Sequence, residues 1–285
     1  MRRAANLFGF DLFPRTNGWR WSHTADSYYP VRPKPRWAHG TPLLPQIELL
    51  LSEQREEFIS LLTQMDAARA ILASVPKETT DLTKPCWGNS FFSSLDAASL
   101  VGMLLLRKPA IYLEIGSGNS TKFARLAISS AQLKTQIISI DPFPRAEIDG
   151  LCDRLIRRQL EDCDQSVFDH VRSGDIVFFD GSHRVFTNSD VTVFFLEILP
   201  KLPKGTIVHI HDIFLPADYP ADWNARMYSE QYILAAMMVG RVAPFKVLLP
   251  NYYACIDPQM SLHVTSLVGP HMEDNFGGSF WLQTI

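Results

Sequence analysis

Two glycines and two acids stand at the ends of short apolar runs in this chain of 285 residues. The stretch YLEIGSGNS, residues 112–120, places Glu114 two positions before Gly116, and Gly118 follows after one serine. A second acid, Asp141, ends the apolar run in ISIDP. Glycines at such a turn let a bound molecule approach the main chain, and a carboxylate attracts a cation and repels a phosphate. The pattern indicates a site for a small molecule that carries positive charge.

A second polar group follows two later apolar runs. DGSH, from Asp180 to His183, comes directly after DIVFF, and HIHD, from His209 to Asp212, ends the next run. Carboxylates suit a hard cation such as Mg²⁺, whereas an imidazole favours Mn²⁺ or another transition metal. A free imidazole has a pKa of about 6.5 and also suits proton transfer. The group predicts a metal site formed by Asp180, His211 and Asp212, or catalysis by His183 or His211 oriented by an aspartate.

The elements that must position these residues alternate between strands and helices. We predict strands over 110–115, 136–140, 175–179, 206–210, 245–249 and 279–284, with 155–160 as a further short strand or a helix extension. We predict helices over 95–106, 120–129, 146–153, 191–199 and 229–239. Continuous apolar strands joined by helices are typical of an α/β, Rossmann-like fold, here a mostly parallel seven-stranded sheet with helices on both faces. Ligands of such sheets bind beyond the carboxyl ends of the strands.

The first 85 residues differ from the rest. Residues 1–45 are basic and aromatic, and we expect an irregular arm or lid in preference to a surface for single-stranded nucleic acid. From Pro45 to about Val75 apolar residues recur every three or four positions, which predicts one long amphipathic helix. The apolar positions are Ile47, Leu51, Phe58, Leu61, Leu62, Met65, Ala68 and Leu72. We therefore predict a lid or dimerisation region over 1–85, a catalytic domain over 86–285, and a homodimer.

The composition excludes several classes of partner. The net charge is −3 and the sequence pI is about 6.2, so bulk attraction to nucleic acid or to an anionic membrane is not expected. The strongest apolar run, residues 100–106, is too short to span a bilayer. The four cysteines show no CxxC pair, which is typical of reduced thiols in a cytoplasmic protein.

The glycine-rich turn departs from the dinucleotide fingerprint. That fingerprint needs a third glycine three positions after the second, and Thr121 stands there instead. Asp141 ends the second strand, where an acid is placed to bridge two ribose hydroxyls. A ribonucleoside with positive charge and no phosphate describes S-adenosylmethionine (SAM).

The motifs EIGSGNS, ISIDP, GDIVFFDGSH and VHIHDIF, in this order, resemble those of class I SAM-dependent methyltransferases. The nearest group is a bacterial set that acts on small molecules and sugars, similar to the metal-dependent O-methyltransferases. The resemblance covers roughly residues 87–285. After the fifth strand the metal-dependent enzymes carry an acid–amide or acid–acid pair, and this sequence departs by having His211 in the first place of that pair. It also departs at His183, where those enzymes carry a catalytic lysine. The residues predicted to bind the cofactor are Glu114, Gly116, Gly118, Ser120, Asp141, Glu161 and Asp180.

These expectations define one main function and two alternatives. The main one is O-methylation of a small hydroxylated acceptor, a sugar or secondary metabolite, with His183, His211 and Asp180 as catalytic residues and Mg²⁺ or Mn²⁺ as a possible helper. The loop after Asp212 is expected to contact the acceptor through Arg226, Glu230 and Tyr232. One alternative is a non-haem metal oxygenase that uses Asp180, His209 and His211. The other is a catalytically silent module that binds SAM.

Overall fold

A seven-stranded sheet lies at the centre of the described residues, which the computed structural model gives as 33–240, 243–271 and 277–285. The strands are β1 (Ile111–Ile115), β2 (Gln136–Ile140), β3 (Arg154–Ile156), β4 (Ile176–Phe179), β5 (Ile207–Ile210), β6 (Phe245–Pro250) and β7 (Phe280–Thr284). Their order across the sheet is β3, β2, β1, β4, β5, β7, β6. Only β7 runs antiparallel to its neighbours. The predicted mostly parallel sheet is therefore confirmed.

Helices cover both faces of this sheet. They are α1 (Pro45–Ser52), α2 (Arg55–Gln64), α3 (Ala68–Leu72), α4 (Ser94–Arg107), α5 (Asn119–Ser130), α6 (Asp190–Val193), α7 (Glu230–Val239), α8 (Asn251–Ile256) and α9 (Met260–Val268). All residues of β4 and β5 are buried, as expected for inner strands covered on both sides. The helix predicted over 191–199 is instead α6 followed by a π-helical turn, Phe194–Ile198.

The inner strands end level with one another. Ile115 of β1 pairs with Ile140 of β2 and with Phe179 of β4. Phe179 in turn pairs with Ile210 of β5. The loops that follow β1, β2, β4 and β5 therefore begin at the same edge of the sheet, and this register brings their polar residues together.

The predicted long N-terminal helix is interrupted. It consists of α1, α2 and α3, with a break at residues 53–54 and a 3-10 turn at Met65–Ala67. The eight apolar positions named above are all buried within the chain, because α2 packs against α9 and β6 and the 3-10 turn packs against α4. This stripe does not supply a free apolar face for a second copy, and the homodimer stays a prediction.

The short strand, one of the two alternatives for 155–160, is present as β3 at Arg154–Ile156. Another local prediction was wrong, since the helix expected over 146–153 is only the 3-10 turn Asp149–Leu151. Ile148 is the one fully buried residue of that stretch, so it has too little apolar surface to hold a helix against the sheet. Helices α8 and α9 were not predicted; Pro250 is the N-cap residue of α8, and Pro258 lies two residues before α9.

The residues from Pro35 to Ile285 form one compact unit, which includes α1 to α3. The division into a region 1–85 and a domain 86–285 stays a prediction, and residues 1–32 of the predicted arm lie outside the described residues. Of the helices in the described parts of the chain, none is both long and apolar enough to cross a membrane.

A close helix contact tests how α4 holds the N-terminal helices. A Cβ built on Gly102 of α4 would lie 2.6–2.9 Å from Met65 side-chain atoms, including its Cβ at 2.8 Å. We expect Gly102→Ala to lower the free energy of unfolding by about 1–2 kcal/mol, since overpacking costs more than the helix propensity gained. Urea denaturation should show that the effects of Met65→Ala and Gly102→Ala are not additive. The double variant should lose less free energy of unfolding than the sum of the losses of the two single variants. Additive losses would contradict this contact. Gly150→Ala, where no atom lies within 4 Å, is the matched control.

Candidate functional site

The two glycines after β1 serve different purposes. Gly116 has φ +80°, and a Cβ there would lie 1.9 Å from the carbonyl oxygen of Asp180. Its missing side chain is therefore required by the main chain of the β4 loop. Gly118 has an extended φ of 175° and no atom within 4 Å of a built Cβ. Of the two glycines predicted to admit a ligand, Gly118 is the one that leaves open space.

Glu114 is completely buried and anchors this loop. Its carboxylate accepts hydrogen bonds from Tyr112 Oη at 3.2 Å, from Ser120 Oγ at 3.3 Å and from Thr121 Oγ1. Thr121 Oγ1 also accepts from the main-chain N–H of Gly118 at 3.1 Å. The residue that replaces the third glycine of the dinucleotide pattern thus links Glu114 to the loop. Burial raises the pKa of Glu114 to about 8, and direct contact between Glu114 and a ligand stays a prediction.

Asp141 joins the loops that follow β1 and β2. Its Oδ2 accepts from the main-chain N–H of Ser117 at 2.8 Å, and its Oδ1 accepts from that of Phe143 at 2.8 Å. The ring of Phe143 is 85% exposed beside it. Glu161 lies on the 3-10 turn Leu160–Asp162, partly buried, and its carboxylate forms no hydrogen bond within the described residues. The structure therefore brings Glu114, Gly118 and Asp141 to one edge of the sheet.

His183 lies between three carboxylates. Its Nε2 is 3.2 Å from Asp180 Oδ1 and 3.5 Å from Asp212 Oδ2. Its Nδ1 is 2.5 Å from Oε1 of Glu230. Ligand atoms of Asp180, His183 and Asp212 all lie within 4.8 Å of one another, which is close enough to hold one metal ion.

His211 faces the same two aspartates from the end of β5. Its Nδ1 is 3.4 Å from Asp180 Oδ1 and 3.5 Å from Asp212 Oδ1, and this buried nitrogen has no hydrogen-bond partner among the described residues. Its Nε2 is 3.3 Å from Oδ2 of Asp96. The four residues predicted to share a cleft do lie together, and Asp96 and Glu230 stand behind the two histidines.

Local main-chain conformation sets this geometry. His183 and Asp212 both occupy the left-handed region, with φ of +60° and +56°. Such conformations cost roughly 1–3 kcal/mol each and persist only where surrounding contacts fix them. Asp190 supplies some of these contacts, since its carboxylate accepts from Ser182 N at 2.6 Å and from Ser182 Oγ at 2.5 Å.

The buried charges shift one another's ionisation. Burial disfavours charge on both histidines, but Glu230 beside His183 and Asp180 beside His211 raise the pKa of each well above its ordinary value. Burial also opposes ionisation of Asp180, yet the two imidazoles hold its pKa below the usual range. Burial raises the pKa of Asp212, and it raises that of Glu230 to about 7. Burial is the main cause of both raised carboxyl pKa values, and the neighbouring carboxylates add to it.

His209 is a core residue. It is fully buried, its Nε2 lies 2.6 Å from Ser279 Oγ, and its ring stacks on Trp281 with centroids 3.9 Å apart. Burial holds its pKa well below the ordinary value.

Sequence reasoning missed Asp96 as a site residue. It is 1% exposed and is the only charged residue of α4 before Arg107. A single acid within an apolar helix was the signal that could have identified it.

The loop after β5 adds aromatic rings next to His183. The ring of Tyr228 lies 4.4 Å from that of His183, and Trp223 lies 5.7 Å from Tyr228. The guanidinium of Arg226 stacks 3.7 Å above Trp223. Tyr232 donates to Asp218 Oδ1 at 2.8 Å. Of the three residues predicted to contact an acceptor, Glu230 lies at the cluster and Arg226 beside its aromatic rim.

A family sequence model matches the part of the chain that contains these strands and loops. Residues 113–213, which run from β1 to just beyond β5, match the sequence model of a family described as a methyltransferase domain. Residues 113–213 are thus similar in sequence to a methyltransferase domain. The resemblance to SAM-dependent methyltransferases drawn from the four motifs is thereby confirmed. A search of curated protein sequences found no match.

Solved structures similar to this methyltransferase fold include two enzymes with bound S-adenosylhomocysteine (SAH). One is the methyltransferase PaMTH1 of Podospora anserina, with 14% identity and a TM-score of 0.42 over 82% of this chain and 95% of that one. The other is the plantazolicin methyltransferase BpumL with a monoazolic desmethylPZN analog, with 15% identity and a TM-score of 0.43 over 81% of this chain and 99% of that one.

Glu114 should make the stability of this methyltransferase domain depend on pH. Its folded pKa of about 8 lies above the ordinary value of 4.5, so its contribution is fully present below about pH 4.5 and is lost as the pH rises to 8. Glu114→Gln cannot ionise and should escape this loss. Relative to the variant, the wild-type protein should lose about 3 kcal/mol between pH 5 and pH 8, at about 1.4 kcal/mol per unit. Urea denaturation at both pH values measures this difference, and parallel pH profiles would contradict it.

Proposed function

We propose that this protein transfers a methyl group from SAM to a hydroxyl group of a small acceptor. The observation that carries the proposal is the junction formed by Asp141, which ties the β1 loop to the β2 loop next to the open main chain at Gly118. The first turn of α5 begins at the same place, immediately after Gly118. A nucleoside bound across these strand ends would lie beside the Asp141 carboxylate and in the open space at Gly118. Open α/β sheets bind their ligands at this position, beyond the carboxyl ends of the strands.

Further contacts support SAM as the ligand. The exposed ring of Phe143 stands two residues after Asp141 and offers an apolar surface for a planar base. The buried carboxylate of Glu114 adds negative potential beneath the loop once it ionises, and its raised pKa means that a cation bound nearby would favour that ionisation. A sulfonium nucleoside meets these conditions better than a phosphate-bearing dinucleotide does.

The second cluster supports O-methylation. A hydroxyl group that accepts a methyl group must lose its proton, and Nε2 of His183 and Nδ1 of His211 face Asp180 and Asp212 where such a proton can be received. The two imidazoles have raised pKa values and hold protons in the ligand-free protein. An imidazolium does not act as a base, so the cluster is better suited to binding a cation that replaces those protons.

The residues fit a divalent cation. Among the described residues, the carboxylates of Asp96, Asp180, Asp212 and Glu230 form no ion pair with a lysine or arginine. Four carboxylates therefore face two imidazoles, and the buried Nδ1 of His211 has no hydrogen-bond partner among the described residues. Asp180, Asp212 and His211, with His183, would hold the ion. A bound divalent cation lowers the pKa of a coordinated hydroxyl group.

The two alternatives are less well supported. An oxygenase site would need His209, whose Nε2 is engaged with Ser279 in the core. A catalytically silent SAM-binding module would need no converging histidines and aspartates next to the ligand loops, but it is separable from the enzyme only by assay.

Binding of SAH tests the cofactor site. Calorimetry should detect SAH binding to the wild-type protein. Gly118→Val fills the space beside the open main chain, where no atom lies within 4 Å of a built Cβ, and should weaken SAH binding at least tenfold. Urea denaturation of the same variant checks that the protein is folded in the binding assay. Gly150→Val, at another glycine with open space around it and on an exposed turn, should leave the affinity unchanged. Failure of the wild-type protein to bind SAH would remove the cofactor assignment.

Transfer of a labelled methyl group tests the reaction. A panel of sugars and phenols should include an acceptor that gains label from methyl-labelled SAM. We expect chelation with EDTA to reduce transfer at least a hundredfold and added Mn²⁺ to restore it, and we expect Asp212→Asn to remain inactive with added metal, since a carboxylate donor is lost. Transfer that EDTA leaves intact would favour catalysis by histidine alone. SAH binding without transfer to any acceptor would favour the silent module.

A further inference from the structure

The two histidines of the cluster are held in the same way by different carboxylates. His183 turns Nδ1 outward to Glu230 and Nε2 inward, while His211 turns Nε2 outward to Asp96 and Nδ1 inward. Both inner nitrogens lie 3.2–3.5 Å from the carboxylates of Asp180 and Asp212. Two imidazole nitrogens and two carboxylates thus converge from opposite sides, each imidazole with a buried acid behind it.

Glu230 is fixed to His183 by main chain as well as side chain. The N–H groups of Ser229 and Glu230 donate to the carbonyl oxygen of His183 at 2.7 Å and 3.3 Å. The Glu230 side chain is fully buried, and its Oε2 has no partner among the described residues. A buried carboxylate that leaves one oxygen unsatisfied is costly. Among the described residues its side chain forms a hydrogen bond only with His183, so orientation of that ring accounts for its presence at the start of α7.

Asp96 is held more firmly. Its carboxylate accepts from the main-chain N–H groups of Gly278 and Ser279 at 2.9 Å and 2.8 Å, from Asn251 Nδ2 at 2.8 Å and from Ser93 Oγ at 2.7 Å. These donors leave Oδ2 in place to accept the Nε2–H of His211. With Nε2 committed in this way, Nδ1 is the nitrogen that can donate its electron pair toward Asp180 and Asp212.

We infer that Asp96 and Glu230 are positioning residues that turn one nitrogen of each histidine toward a cation held by Asp180 and Asp212, and that the site therefore selects a transition-metal dication over Mg²⁺. This inference rests on the cation of the proposed function and adds the roles of the two acids behind the histidines and the class of metal. Two nitrogen donors disfavour Mg²⁺, which prefers an all-oxygen shell, and suit Mn²⁺ and the later metals. Acids behind metal-bound histidines typically change metal affinity by 10- to 100-fold.

The test measures Mn²⁺ and Mg²⁺ affinity by calorimetry on the full chain, together with the ¹⁴N signal of bound Mn²⁺ in pulsed EPR. The wild-type protein should bind Mn²⁺ more tightly than Mg²⁺ and show imidazole nitrogen at the ion. Asp96→Asn and Glu230→Gln should each weaken Mn²⁺ binding 10- to 100-fold and reduce the Mn²⁺/Mg²⁺ ratio. The control is Asp257→Asn, which removes another buried aspartate, one paired with Arg55, and should leave both affinities unchanged.

Double variants separate positioning from general stability. If Asp96 acts through His211, Asp96→Asn should have no further effect on Mn²⁺ affinity in a His211→Ala background, and Glu230→Gln none in a His183→Ala background. Equal losses in both backgrounds would show a structural role and overturn the inference. Equal affinity for Mn²⁺ and Mg²⁺, or no nitrogen signal, would overturn the metal selectivity. A protein that binds SAH but neither metal would overturn the inference and leave the cofactor assignment intact, whereas one that binds Mn²⁺ but not SAH would remove the methyltransferase proposal alone.

Discussion

The close approach of the β1 loop to the β4 loop is the constraint on which the rest of the site depends. Gly116 packs its main chain against the carbonyl of Asp180, and Asp180 N donates to the carbonyl oxygen of Ile115 at 2.8 Å. The contact fixes the distance between the glycine-rich turn and the first aspartate of the histidine cluster. In an in-line methyl transfer, much of the acceleration comes from holding donor and acceptor at a set separation. Gly116 contributes directly to that separation, because its missing side chain makes room for the main chain of Asp180 and not for a ligand.

The two buried acids near this contact, Glu114 and Asp180, differ in their ionisation. Glu114 meets only neutral hydroxyl groups, and burial therefore leaves it with a raised pKa and little charge at neutral pH. Asp180 meets two imidazoles and stays ionised. The edge of the sheet thus carries a mostly neutral carboxyl group beneath the glycine turn and an ionised Asp180 between two imidazoles one strand away.

The sequence predicted the sheet and the convergence of the two polar groups because both follow from strand order. Apolar runs gave β1, β2, β4 and β5, and the shared edge of a parallel sheet placed Asp141, Asp180 and Asp212 together. The sequence did not reveal that Gly116 is needed for packing of the main chain. A single sequence does not distinguish a glycine that makes room for a ligand from one that makes room for a neighbouring loop. It also missed Asp96, whose partners Gly278 and Ser279 lie more than 180 residues away.

Long-range contacts of this kind also explain why α4 and β7 matter to the chemistry. The N–H groups of Gly278 and Ser279 just before β7 and the amide of Asn251 at the start of α8 all converge on one carboxylate of α4. The antiparallel strand that closes the sheet is therefore coupled to His211 through Asp96. The last quarter of the chain, beyond the segment matched by the methyltransferase family, thus helps to hold Asp96 in place behind His211.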